Sequence, residues 1–142
     1  MMSVDLRVME LDDFDPVHEL WEASEGLLLD SCDCRDNIQH FLDRNPGLSF
    51  VATIDGKIIG AALCGHDGCH GYIHNLAVAK QFRKQGIGKS LVSRCMFELI
   101  RIGINRCHLY VESGNEGGIN FWKKLGWEQR VEIISMSQPI RP

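Results

Sequence analysis

The stretch YIHNLAVAKQFRKQGIGKSLV, residues 72–92, passes from an apolar strand-like segment through a basic, glycine-bearing turn into a helix-like one. Three phosphate motifs compete for that turn. A P-loop needs glycine at position 83, which is Arg83, and normally ends a parallel strand. A Rossmann fingerprint finds Gly86 and Gly88 but meets Leu91 at its third glycine, with no βαβ unit around it. The pattern that fits is R-x-x-G-x-G, formed by Arg83, Gly86 and Gly88. At such a junction the first helical amides have no intrahelical partner, and the helix dipole adds partial positive charge. Glycines let the backbone come close to a ligand, so consecutive amides can surround a pyrophosphate. Arg83, Lys84 and Lys89 add charge around it. A short motif like this also occurs as a plain solvated helix start, so its setting decides.

Outward from the turn, the elements follow an order. Residues 4–9 alternate and suit a first strand. LDDFDPVHELWEAS (11–24) predicts a first helix, with Asp12 or Asp13 as N-cap and Phe14, Val17, Leu20 and Trp21 at helical spacing. DNIQHFLDR (36–44) predicts a second helix, stopped by Pro46 and Gly47. LSFVATI (48–54) and IIGAALCG (58–65) flank an Asp55-Gly56 turn and read as a hairpin. A second hairpin signal, HDG (66–68), leads into a strand over 69–79. Beyond the turn, Ile87, Leu91, Cys95 and Leu99 form one helical stripe, stopped at Gly103. A strand at 106–112, a helix at 115–125 ended by Gly126, and a last strand at 130–137 complete the chain. No linker, repeat or low-complexity stretch interrupts it. The expectation is one α/β (α+β) domain over residues 1–142, a mixed, mostly antiparallel sheet flanked by about four helices.

The composition suits one soluble domain: 142 residues, 44% hydrophobic and 24% charged. A formal charge of −4 gives no global attraction to nucleic acid or to anionic membranes, so any phosphate affinity is local. The N-terminus is acidic where a signal peptide needs a basic and then apolar stretch, and no apolar run reaches membrane length. The expected location is the cytoplasm. There the six cysteines, Cys32, Cys34, Cys64, Cys69, Cys95 and Cys107, read as reduced thiols.

This setting resembles the GNAT superfamily of acyl-CoA-dependent N-acyltransferases. The resemblance runs from SFVATIDGKIIGAAL (49–63) through the opening stretch to NEGGINFWKKLGW (115–127), which fits N-x-x-x-x-x-F-[YW]-x-K-x-G-[FW]. It implies that the helix start binds the pyrophosphate of acetyl-CoA, the co-substrate. The amides of Lys84, Gln85, Gly86, Ile87, Gly88 and Lys89 would do so, flanked by Arg83 and Ser90. It also implies that the pantetheine arm pairs with the backbone of Leu76, Ala77 and Val78, and that Asn115 and Trp122 approach the cofactor. The partner it implies is a small-molecule or peptide amine; neither nucleic acid nor membrane is expected, and a homodimer is compatible.

Acyl transfer to an amine needs an uncharged nucleophile, a polarised thioester carbonyl and a proton for the thiolate. In regular strand geometry Tyr72, His74 and Leu76 share one face. His74 is the candidate base, because imidazole titrates near neutral pH and the resemblance extends to aralkylamine acetyltransferases with a histidine here. The competing reading is a strand histidine that only bonds a neighbour while water removes the proton. The resemblance assigns the Leu76 amide to the carbonyl oxygen. Many members of the superfamily place a tyrosine acid after the phenylalanine of the last motif, where this chain has Trp122, and an indole N–H is no usable acid. Tyr72, Tyr110, water or the product ammonium then supply the proton, and Trp122 also suits plain core packing. The loss of that tyrosine leaves open an acyl-CoA sensor that catalyses nothing. The cluster Cys64, His66, Cys69, His70 and His74 has no common zinc spacing, so no metal is expected. Acidic residues over 22–36 would favour a cationic acceptor but equally suit a solvated helix pair.

Overall fold

The computed structural model describes residues 3–140. Its chain forms two compact units, divided between Tyr110 and Val111. The first carries a five-stranded sheet in sequence order: β1 (Asp5–Val8), β2 (Phe50–Ile54), β3 (Lys57–His66), β4 (Gly71–Val78) and β5 (Cys107–His108). Neighbours pair antiparallel except β4 and β5, which run parallel. The sheet is therefore mixed and mostly antiparallel, as the order of hairpin signals predicts.

Three helices belong to this unit: α1 (Phe14–Glu22), α2 (Arg35–Arg44) and α3 (Ile87–Arg101). Strand alternation sorts their contacts. Val51, Ala61, Leu63 and Ala77 share a buried cluster with Val17 and Trp21 of α1 and Ile38 of α2. The opposite face receives α3. A Cβ on Gly60 would stand 3.2 Å from Leu91, and one on Gly71 only 2.5 Å from Leu99. Glycine at these places lets the helix lie close to the strands. The predicted stripe Ile87, Leu91, Cys95 and Leu99 is wholly buried.

Local chemistry explains the element ends. The β2–β3 hairpin turns at Asp55 and Gly56, with φ of 50° and 79°, the signs that a two-residue I′ turn requires. Gly103, at φ 89°, ends α3 in the left-handed conformation. Asp13 does not cap α1 with its side chain. Its carboxylate accepts two bonds from Arg7, both 2.8 Å, and one from the Glu10 amide at 2.9 Å.

Two expectations fail. Tyr72, His74 and Leu76 do not share a face, because β4 carries a bulge. Ala61 pairs with Ala77 and Leu63 with His74, so two residues, Asn75 and Leu76, oppose Ala62 alone. Asn75 takes φ 51°, and alternation restarts one residue out of phase. The second failure is the last strand: residues 130–137 form none. Alternating apolar residues encode a tendency, but a strand exists only with a ladder partner, and among its described residues the second unit contains no other strand. That unit holds α4 (Glu116–Lys124) and the segment after it.

Candidate active site

The phosphate-type turn lies between β4 and α3. A 3-10 turn over Lys80–Phe82 follows β4, and the chain then passes through Lys84 at φ 63° and Gly86 at φ 81°. Left-handed residues in a turn are the kind of backbone from which anion-binding concavities are built. A Cβ on Gly86 would have nothing within 4 Å, so the backbone angle demands glycine here, and the space beside it is open. The first helical hydrogen bond runs from the Ser90 amide to the Gly86 carbonyl, 3.0 Å. The amides of Ile87, Gly88 and Lys89 therefore precede the helical ladder. Ser90 has committed its amide, and only its hydroxyl is left for a ligand. Arg83 is also partly committed: its Nε donates to the Val78 carbonyl at 3.0 Å, which ties the turn to the end of β4.

His74 and Tyr72 point from β4 toward the α2 side. The His74 ring meets Phe41 of α2 edge-on at 5.8 Å and lies nearly parallel to Tyr72 at 6.3 Å. Burial pushes the His74 imidazole below its ordinary pKa, and the Asp33 carboxylate works against that shift. A histidine so placed is neutral at pH 7 and free to accept a proton. Desolvation and then the Asp67 charge raise the Tyr72 phenol, so it keeps its proton. The Tyr72 ring lies 5.7 Å from His108, which faces His70 at 4.9 Å. Tyr110 is 73% exposed.

β5 pairs only with Gly71 and Tyr72 and then leaves the sheet. From Ile73 to Val78, that edge of β4 has no strand beside it among the described residues. The bulge at Asn75 and Leu76 interrupts the same stretch on its other side. Leu76, Ala77 and Val78 thus lie between an open edge and the turn, with the Ala77 side chain buried against α1.

Asn115 and Trp122 belong to the second unit. The Asn115 side chain caps α4, accepting from the Gly118 amide at 2.9 Å. Trp122 packs its ring at 5.2 Å from Phe121 and 5.0 Å from Trp127. Both residues have structural tasks within that unit.

The cysteine–histidine segment folds as a turn. Asp67 accepts from the amides of Cys69 and His70, both 2.8 Å, and His66 from that of Gly68 at 3.0 Å. Cys64 points instead into the core beside Cys95, whose thiol together with burial pushes Cys64 far up. Among the described residues no three metal-ligating side chains converge.

Sequence reasoning missed Asn75 and the importance of Asp33. The Asn75 Nδ2 donates to Asp33 Oδ1 at 2.6 Å, across 42 positions of sequence. A signal was available for one of them: asparagine inside an apolar strand, a residue type enriched in the left-handed region, marks a bulge.

The profile of the GNAT acetyltransferase family matches residues 12–127. The chain belongs to that family. An acetyltransferase of Pectobacterium atrosepticum is 35% identical over 135 residues, covering 95% of this GNAT chain and 94% of the relative. Solved structures share the fold at lower identity. The PaiA N-acetyltransferase of Thermoplasma acidophilum, in complex with coenzyme A, has a TM-score of 0.78 at 20% identity, covering 87% of this chain and 89% of that one. The diaminobutyrate acetyltransferase of Paenibacillus lautus, with L-2,4-diaminobutyric acid and coenzyme A, has 0.74 at 22%, covering 88% and 75%. Among the described residues, no helix of the GNAT chain is long and apolar enough to cross a membrane.

Proposed function

We propose that this protein is an N-acetyltransferase that moves acetyl from acetyl-CoA to a primary amine by direct attack. The observation that carries this reading is the succession, on one strand, of His74, the bulge at Asn75–Leu76, and an open edge leading to the left-handed turn that starts α3. Family membership and the coenzyme A held by structural neighbours support it.

In this reading the pyrophosphate rests on the amides of Lys84 to Lys89 and the pantetheine arm pairs along Leu76 to Val78. The arm has one acceptor fewer than a free edge would give, because Arg83 already occupies the Val78 carbonyl. The thioester oxygen meets the Leu76 amide, a donor worth roughly 3 kcal/mol at the transition state. An alkylammonium, with a pKa near ~10.4, must first lose a proton. Neutral His74 accepts it, directly or through one water. The amine nitrogen then bonds the acetyl carbon, the carbon–sulfur bond breaks, and the thiolate leaves. With Trp122 packed between aromatic rings, the thiolate takes its proton from the cationic nitrogen of the tetrahedral adduct, which must lose one to become the amide. The alternative donors are Tyr72 and water, which that nitrogen's proton then replenishes.

The test joins two measurements on the full chain. Acetyl-CoA should raise the melting temperature, since it binds only the folded state. Free thiol should then appear when 2,4-diaminobutyrate, spermidine or an alanine-starting peptide is added. Stabilisation by acetyl-CoA with no thiol released from any amine would replace this reading with that of a non-catalytic acyl-CoA-binding protein.

A further inference from the structure

The bulge of β4 is held by a residue far away in sequence. Glycine is the default residue for a left-handed position, yet the chain has Asn75, whose side chain reaches Asp33. Asp33 is itself fixed. Its Oδ2 accepts from the Asp30 amide at 2.9 Å, and Asp30 in turn accepts from the Cys32 amide at 2.8 Å. The Asn37 side chain donates to the Ser31 carbonyl at 2.9 Å, joining this short 3-10 turn, Ser31–Asp33, to α2. The same helix supplies Phe41 against His74. The segment between α1 and α2 and the helix that follows it thus grip β4 at two successive residues, α2 holding His74 through the Phe41 ring and Asp33 of the segment holding Asn75 through a hydrogen bond.

We infer that Asp33 is a positioning residue for acyl transfer: through Asn75 it sets the geometry of the β4 bulge, and so the direction of the Leu76 amide. The inference rests on the transferase reading for its catalytic consequence, but not for the geometric one. It makes the α1–α2 segment part of the apparatus that aligns the thioester. An acceptor that displaces this segment changes the donor side as well. The carboxylate carries no reacting group, so its loss acts on turnover and not on coenzyme A affinity.

The experiment compares Asp33→Ala, Asn75→Gly, the double variant and Asp33→Asn. Asn75→Gly keeps a residue at ease in the left-handed region but removes the tether. Asp33→Asn has one acceptor oxygen where the carboxylate uses two, so it keeps the bond from Asn75 only by giving up the one from the Asp30 amide. With acetyl-CoA and whichever of the three amines above reacts, Asp33→Ala and Asn75→Gly should each lower kcat about tenfold or more. Coenzyme A dissociation constants should stay within about threefold. The double variant should be no worse than either single one, and Asp33→Asn, which can keep the Asn75 bond but not the Asp30 one as well, should lie between Asp33→Ala and wild type. Additive losses, or wild-type turnover in either single variant, overturn the assignment. A second readout needs no acceptor. In ¹H–¹⁵N spectra the Leu76 amide resonance should move in Asp33→Ala, a substitution remote from it in sequence. A Leu76 resonance that coincides with wild type overturns the inference outright. A shifted Leu76 in a protein that acetylates no amine overturns the transferase reading and supports the geometric link.

Discussion

The His74 imidazole stands nearly perpendicular to the Phe41 ring, 5.8 Å between centroids, on the strand residue next to the bulge. An apolar neighbour of that size desolvates the ring and favours its neutral form. If His74 takes the acceptor proton, the limb of the pH–rate profile that it controls should have its midpoint below the usual ~6.5 of histidine. His74→Ala should lower kcat by roughly 10²-fold and remove that limb, with coenzyme A affinity kept. A wild-type rate and profile in this variant would assign His74 to packing alone.

Gly86 tests the turn. Its φ of 81° is costly for a side chain, while the space where a Cβ would go is open. Gly86→Val should therefore strain the backbone by about 1–2 kcal/mol without a clash, and differential scanning fluorimetry should show a modestly lower melting temperature. The stabilisation by acetyl-CoA should vanish, because a β-branched side chain would fill the open space through which a phosphate could approach the backbone. An unchanged stabilisation would move the pyrophosphate elsewhere.

Trp122 separates packing from chemistry. Its ring contacts with Phe121 and Trp127 predict that Trp122→Phe loses some stability and keeps most turnover. A thiol leaving group with a pKa near ~8.5 needs little help to depart. Trp122→Tyr should match or modestly exceed the wild type at high pH. A collapse of turnover in Trp122→Phe, with melting and coenzyme A binding intact, would give the indole a chemical part that this mechanism lacks.

Asp13 makes a prediction about acid stability. Its bonds from Arg7, and then from the Glu10 amide, hold the folded carboxyl below its usual range. A depressed folded pKa means that the stabilisation is complete above the unfolded value of ~3.9 and fades as pH falls through the folded value. Asp13→Ala should cost about 1–3 kcal/mol at pH 7. Denaturant titrations should show that cost shrinking below pH ~4. A loss equal at pH 7 and at pH 3 would show that the ion pair contributes nothing through its charge.

Much of this architecture can be read from the chain. Asp55-Gly56 announces its hairpin because few dipeptides tolerate two positive φ angles in succession. Ile87, Leu91, Cys95 and Leu99 announce a buried helix face because a helix repeats every 3.6 residues. The bulge hides for the complementary reason: a period-two reading assumes an unbroken phase, and Asn75 breaks it. The segment 130–137 shows the other limit. Val131, Ile133 and Ile134 have strand propensity, but propensity names no partner, and these side chains are mostly exposed. The Asp33–Asn75 bond joins residues 42 positions apart, a distance over which no local pattern operates.

The bulge has one more consequence. If Asn75 were deleted, Leu63 would still face His74, Ala61 would still face Ala77, and Leu76 would drop into place opposite Ala62. Both faces of the sheet would keep the side chains they bury now. Asn75 is thus a spare link in the chain as far as folding is concerned, and a shortened protein would have a straighter, more regular β4. Such a variant would exchange the tether to Asp33 for a continuous ladder, and should fold yet lack the bulge on which the proposed acyl transfer depends. The sheet tolerates an irregularity that its own packing does not require, at the position where the proposed chemistry needs one.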